Sequence, residues 1–366
     1  MSNILYIGPY REFSGVGNAS RCYIKSLIES GHNISIRPIY NIFKSCPESE
    51  IDSDILDLES NFSKRYHTVI QHCYPHQLTF DKRFDQNIGI LNLDSFNYFD
   101  NLTDSINIMD RLIVPSKFIR DTISTKNLST QIDVVPEPID VEMIKKYKEN
   151  NPIDQRKTYR FYTIADFIPK KNLDKILLAF LRAFGEDDDV ELIIKTKNFS
   201  NENLQLGPAI EYEFGKIYDS IKHITKKPKI ISGETKKESI LYLHNNSDCY
   251  INACCGESFG YSSLEALVFN NNLIVNGDSG PSEIVDNGCG QIIRNKQTQC
   301  CDNTRIYYRY NTHDQLWYEP EINSIIQNMF LALYETEEDK NIRVEKQKIK
   351  MEQYSIQSVA KYFINL

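Results

Sequence analysis

The sequence predicts an α/β protein of two doubly wound domains in tandem, and three observations predict it. Short apolar runs alternate with amphipathic helical stretches, the pattern of a mostly parallel sheet covered on both faces by its crossover helices. The alternation occurs twice, on either side of a charged, polar stretch at 141–156 that contains Lys-Lys-Tyr-Lys-Glu-Asn-Asn-Pro. The chain has 366 residues, more than one hydrophobic core usually organises. The expected domains are 1–150 and 151–349, with a C-terminal helix at about 350–366 packing back on the first.

The elements follow in order. Residues 4–7 form a short strand ending at Gly8-Pro9, and a loop with Gly15 and Gly17 leads into a helix carrying Cys22, Ile24, Leu27 and Ile28. Gly31 stops that helix, and 34–36 is the next strand. A glycine loop before a helix lets a phosphate or sugar approach backbone N–H groups. The run Gly15-Val16-Gly17-Asn18-Ala19-Ser20 lacks the third glycine of a dinucleotide fingerprint, so a nicotinamide site is not expected. Strands follow at 68–71, 88–93, 112–114 and 132–135. The second alternation begins with a strand at 159–165 and a helix at 173–184, whose apolar face is Leu173, Ile176, Leu177, Phe180 and Leu181. Strands at 190–194, 229–231, 249–251, 273–275 and 291–293 complete it, and 321–333 and 337–366 read as helical.

Composition narrows the function. The chain is 41% hydrophobic and 25% charged, and its 42 basic and 50 acidic residues leave a net charge of −8. With no basic block, nucleic-acid binding is not expected. The first residues lack the charged and long apolar regions of a secretory signal, and no run approaches the ~18 apolar residues of a membrane span. Nine cysteines include the adjacent pairs Cys254-Cys255 and Cys300-Cys301, without zinc spacing. Free thiols in a cytoplasmic protein without a transmembrane segment are the expectation.

The richest stretch is 253–285: a strand end, a loop with Gly256 and Gly260, a helical run with Leu264, Ala266 and Leu267, an apolar strand and a Gly280-Pro281 turn. Loops at the carboxyl ends of parallel strands line the ligand crevice of such sheets. Two carboxylates, Glu257 and Glu265, lie eight residues apart across loop and helix. The segment Ser258, Phe259, Gly260 precedes the helix, where backbone N–H groups suit a diphosphate.

With those residues in view, the chain resembles the retaining GT-B glycosyltransferases of glycosyltransferase family 4, which carry a Glu-x7-Glu motif. The match is Glu257-Ser-Phe-Gly-Tyr-Ser-Ser-Leu-Glu265, followed by the turn at 276–285 and preceded by Ile164-Ala-Asp-Phe-Ile-Pro-Lys-Lys-Asn172. Segments 110–116, 135–140 and 316–320 have counterparts in the same order, so the likeness spans nearly the whole chain, 41–57 excepted. It implies a GT-B fold, two Rossmann-like domains facing across a cleft. It also implies a hexosyltransferase using a UDP- or GDP-linked sugar and a glycan, lipid-linked or protein-linked acceptor, with no other cofactor.

The resemblance assigns Glu265 to the ribose hydroxyls, Glu257 to the donor sugar and leaving phosphate, and Lys171 to the diphosphate. The chain departs from the family at Asp166 and Ala165, which stand where it has arginine and glycine: either Lys170 or Lys195 replaces that arginine, or Asp166 contacts something else, or transfer is slow. His72, after the strand at 68–71, matches a family histidine facing the donor sugar. Asp94 and the Gly15, Gly17 loop are candidates on the acceptor and sugar side. Two D-x-D sequences, at 52–54 and 187–189, read as solvated acids, so metal-independent transfer is expected. Two alternatives stand beside it: a catalytically weak nucleotide- or glycan-binding GT-B protein, motivated by Asp166, and a GT-B sugar-nucleotide epimerase.

Overall fold

A computed structural model describes residues 2–40, 45–91, 100–124, 128–198, 205–221, 226–299 and 316–366. The chain divides into two compact units. The first gathers Met1–Val141, Glu257–Tyr261 and Glu352–Leu366; the second gathers Glu142–Gly256 and Ser262–Met351.

In the first unit, β1 (Asn3–Gly8), β2 (Asn33–Pro38), β3 (Thr68–His72), β4 (Gln86–Ile90), β5 (Arg111–Val114) and β6 (Gln131–Val134) form one parallel sheet in the order β2-β1-β3-β4-β5-β6. The expected strand at 88–93 thus starts earlier and ends at Ile90. Helix α1 (Gly15–Glu29) starts at Ser14, whose side chain accepts the Gly17 N–H at 3.0 Å and satisfies one of the unpaired donors of the first turn. Its buried face, Tyr23, Ile24 and Leu27, joins Ile4, Tyr6, Ile36, Ile70 and Ile88 in one core. The same core contains Val359 and Phe363 from the C-terminal segment. The segment expected as a single helix over 337–366 is two, Glu337–Glu352 and Ile356–Ala360, because Ser355 caps the second with its side chain on the Ser358 N–H.

The second unit repeats the plan with β7 (Tyr159–Asp166), β8 (Val190–Lys197), β9 (Lys229–Ser232), β10 (Cys249–Asn252), β11 (Asn272–Asn276) and β12 (Gln291–Ile293), in the order β12-β11-β10-β7-β8-β9. Strands β10 and β11 are buried along their whole length, as a sheet covered on both faces requires. The apolar stripe of the helix Leu173–Ala183, with Ile176, Leu177 and Phe180, packs on Phe161, Ile194 and Ile251 of the sheet and on Ile325 and Met329 of the helix Ile322–Leu333. An antiparallel hairpin of β13 (Asn295–Gln299) and β14 (Leu316–Pro320) was not expected, since Asn-Lys-Gln-Thr-Gln carries no apolar signal. Its pairing with Leu-Trp-Tyr-Glu-Pro supplies the strand conformation instead. Among the described residues no helix is long and apolar enough to cross a membrane.

Candidate functional site

In the second sheet the strand order reverses between β7 and β10, so the chain leaves these neighbours in opposite directions and opens a crevice at their carboxyl ends. The loop after β7 ends in a tight turn, Pro169–Lys171, and the left-handed residue Asn172, φ 50°. The loop after β10 carries Cys254 and Cys255. Hydrogen bonds join the two loops: Asn172 Nδ2 donates to the Ala253 carbonyl at 2.8 Å and to Cys255 Sγ at 3.0 Å, and the Cys255 N–H donates to the Lys170 carbonyl at 2.9 Å. From the other side Asn276, at the end of β11, donates to the carbonyls of Cys254 at 2.9 Å and Tyr318 at 2.8 Å. The cysteines serve as small buried side chains, and burial raises the Cys255 thiol far above its ordinary pKa, away from thiolate chemistry.

Lysines gather at the ends of β7 and β8. Register places Asp166 opposite Lys197 and Ile164 opposite Lys195. Lys195 and Lys197, two residues apart on one strand, project from the same face. The turn adds Lys170, which is buried, and Lys171, which is half-buried. Lys195 is 4% exposed, its ammonium donates to the Gly233 carbonyl at 2.8 Å, and it lines a cavity of about 310 Å³ with Ile193, Ile231, Thr235 and Leu243. Burial, with Lys197 as a second cause, lowers its pKa to about 8. Lys197 pairs with Glu234 at 3.4 Å. Asp166 sits in the field of all four lysines: burial raises its pKa, and Lys197, Lys171, Lys170 and Lys195 pull it back in that order. The lysine cluster and its acids Asp166 and Glu234 thus sit together at one sheet edge, in a chain that is negative overall.

Glu265 lies on the helix Tyr261–Val268 and is 7% exposed. Its Oε2 is 3.4 Å from Nε2 of His244, close but without hydrogen-bond geometry. His244 Nδ1 shares a hydrogen with the Tyr162 hydroxyl at 2.6 Å, and Asn271 Nδ2 donates to that same hydroxyl at 2.7 Å. With the Tyr162 oxygen already accepting from Asn271, its own proton goes to Nδ1. That arrangement leaves the Nε2 hydrogen on the side of Glu265. His244, Tyr162 and Asn271 carry no local motif and lie far apart in sequence, so nothing in the sequence singles them out.

The remaining candidates belong to the first unit. Glu257 is half-buried. The Ser258 carbonyl accepts from the Ser116 hydroxyl at 2.6 Å, and Phe259 packs edge-on against Tyr354 at 5.5 Å. Gly260 has φ 93°, a conformation that L side chains avoid, so glycine is needed there for the backbone itself. Gly17 is needed for space: a Cβ would lie 2.2 Å from the Glu12 carbonyl oxygen. Gly15 approaches Tyr261, with 3.4 Å left for a Cβ. His72 is 1% exposed, hydrogen-bonded through Nδ1 to the Tyr6 hydroxyl at 2.8 Å and edge-on to Tyr23, and burial lowers its pKa to about 3. It is therefore neutral at physiological pH. Asp94 lies outside the described residues. Acids of both D-x-D sequences have local partners: Asp52 pairs with Lys25 at 2.5 Å, Asp188 accepts the Gly185 N–H at 2.7 Å, and Asp189 accepts from the Thr158 hydroxyl at 2.6 Å.

Two six-stranded parallel α/β units in one chain define the GT-B fold class, and solved structures similar to this chain agree. The Anabaena protein Alr3699/HepE, solved with UDP and glucose, superposes with a TM-score of 0.67 at 11% identity over 100% of this chain and 99% of its own. A glycosyltransferase from Rickettsia africae gives 0.65 at 11% identity over 100% and 97%. The α,α-trehalose 6-phosphate synthase of Burkholderia multivorans gives 0.67 at 10% identity over 100% and 98%. No protein-family model matches the sequence, and no curated protein matches it.

Proposed function

We propose that this protein is a glycosyltransferase that moves a sugar from a nucleoside-diphosphate sugar to an acceptor hydroxyl with retention of configuration, in the manner of glycosyltransferase family 4. The observation that carries the reading is the pair of clamped loops at the β7/β10 switch point with its lysine cluster. A diphosphate leaving group develops negative charge as the glycosidic bond breaks, and fixed cations facing it lower that barrier without reorganising. Lys170, Lys171 and Lys195 take this role, so transfer proceeds without a divalent metal or other cofactor. Glu265 accepts the ribose hydroxyls, and Glu257 and His72 face the donor sugar. The acceptor attacks from the face the phosphate leaves, and the departing phosphate oxygen takes its proton, which preserves the anomeric configuration. Neighbours of the same fold solved with UDP favour a uridine donor. The acceptor is a glycan or a lipid- or protein-linked sugar, and the reaction takes place in the cytoplasm.

The test is incubation with a panel of UDP- and GDP-sugars, with mass-spectrometric detection of free nucleoside diphosphate and NMR assignment of the product anomer. Release of nucleoside diphosphate with an α-linked product from an α-donor supports the proposal, and an inverted product rejects retention. Activity that persists in excess EDTA supports metal independence; loss rescued by manganese rejects it. Asp166 favours a second reading, a nucleotide-binding protein with little turnover. Thermal stabilisation by UDP or GDP without release of product from any donor selects it.

A further inference from the structure

We propose that Asp166 is an internal counter-ion of the lysine cluster, competing with the donor's diphosphate for those cations and taking up a proton when the diphosphate binds. This rests on the donor-site reading above and adds a regulated step to it. Three observations lead to it. Asp166 ends β7 opposite Lys197, with Lys195 two residues earlier on the same face of β8, while the turn Pro169–Lys171 brings Lys170 and Lys171 to the same carboxylate. Among the described residues the Asp166 carboxylate makes no direct hydrogen bond or ion pair, so the field of the cluster is what favours its ionised form against burial. Glu234, from the segment after β9, also reaches this group and is engaged with Lys197 at 3.4 Å.

An ionised carboxylate at the centre of an anion site has two consequences. It offsets lysine charge while the site is empty, and it repels a diphosphate that enters. A bound diphosphate occupies the same lysines and adds like charge nearby, and both changes favour the protonated carboxyl. The proton comes from solvent to one Asp166 oxygen, no bond between heavy atoms changes, and the neutral carboxyl can then donate a hydrogen bond to a phosphate oxygen. The burial that raises the Asp166 pKa in the empty site works in the same direction.

The experiment is calorimetric titration of the wild-type protein and of Asp166→Asn with UDP-glucose and with GDP-glucose, in two buffers of different ionisation enthalpy. At about pH 6.5 Lys195 is already charged, and a nucleotide sugar, unlike a free phosphate monoester, has no group titrating there. Wild type is expected to take up a proton, up to about one per donor bound, with affinity rising as pH falls from about 8 to about 6. Asp166→Asn is expected to show no uptake on this account and to bind about tenfold tighter near pH 8, the size of one screened charge at this range. Donor binding to wild type without proton uptake overturns the inference, and that measurement needs no variant. Unchanged or weaker binding by a folded Asp166→Asn overturns it as well. Failure of wild type and variant to bind either donor overturns the donor-site reading instead.

Discussion

Glu265 and Glu257 differ in setting, and their substitutions should differ in effect. Glu265 is buried beside His244, and under the proposed donor reading Glu265→Ala removes a fixed acceptor for the ribose diol. It is expected to weaken nucleotide binding by about 1.5–3 kcal/mol, read by titration calorimetry. On the same proposed reading, Glu257→Ala is expected to lower kcat more than it raises the donor Kd, because a group beside the reacting sugar would act mainly in the transition state. Equal donor binding and turnover in both variants and the wild type would sink the assignment. His72 makes a prediction about pH. Its folded pKa, about 3, lies below its ordinary 6.5, so between these values the unfolded chain binds more protons than the folded one. Its contribution to stability is complete above about pH 6.5 and is lost as pH falls toward about 3, with a slope of at most ~1.4 kcal/mol per pH unit. Urea midpoints from pH 7 to 4 should fall less steeply in His72→Gln. The two glutamates stand out in the sequence by their eight-residue spacing across a glycine loop. Asn172, Asn276 and His244 were not, because each matters only through partners brought near by folding.

At the scale of elements, the most exposed dependency is the C-terminal helix Ile356–Ala360. Its Val359 and the following Phe363 are buried with Ile24 and Leu27 of α1. Phe363→Ala is expected to destabilise the first unit by about 3–5 kcal/mol, measurable as a lower urea midpoint, by lost burial and the cavity left behind. Gly17→Ala should destabilise as well, by about 1–3 kcal/mol, since its Cβ meets the rigid Glu12 carbonyl rather than a side chain that can move. Strands β3, β10 and β11 were readable as runs because both of their faces are covered. The β13–β14 hairpin was not readable, because its first strand is polar and is ordered by cross-strand pairing. The break at Ser355 is a capping event inside a stretch whose composition otherwise continues helical.

For the whole molecule, the contrast between a net charge of −8 and a local cluster of lysines is functional under the donor reading. Overall negative charge disfavours polyanions, while the cluster concentrates attraction at one small anion. Ligand linkage tests this globally. A UDP or GDP concentration 100 times its Kd should stabilise the native protein by about 2.7 kcal/mol, a rise of about 5–11 °C in Tm for units of this size. The rise should shrink in Glu265→Ala at equal ligand. What the sequence determined by itself was the α/β class, the doubled alternation and the apolar strands, because each is written in local periodicity. Only the tertiary structure decided that the loops 166–172 and 253–256 are tied together by Asn172, and that Glu265 faces His244. It alone placed Asp166 among four lysines. Strand order and register decide which distant residues become neighbours, and no local pattern encodes them.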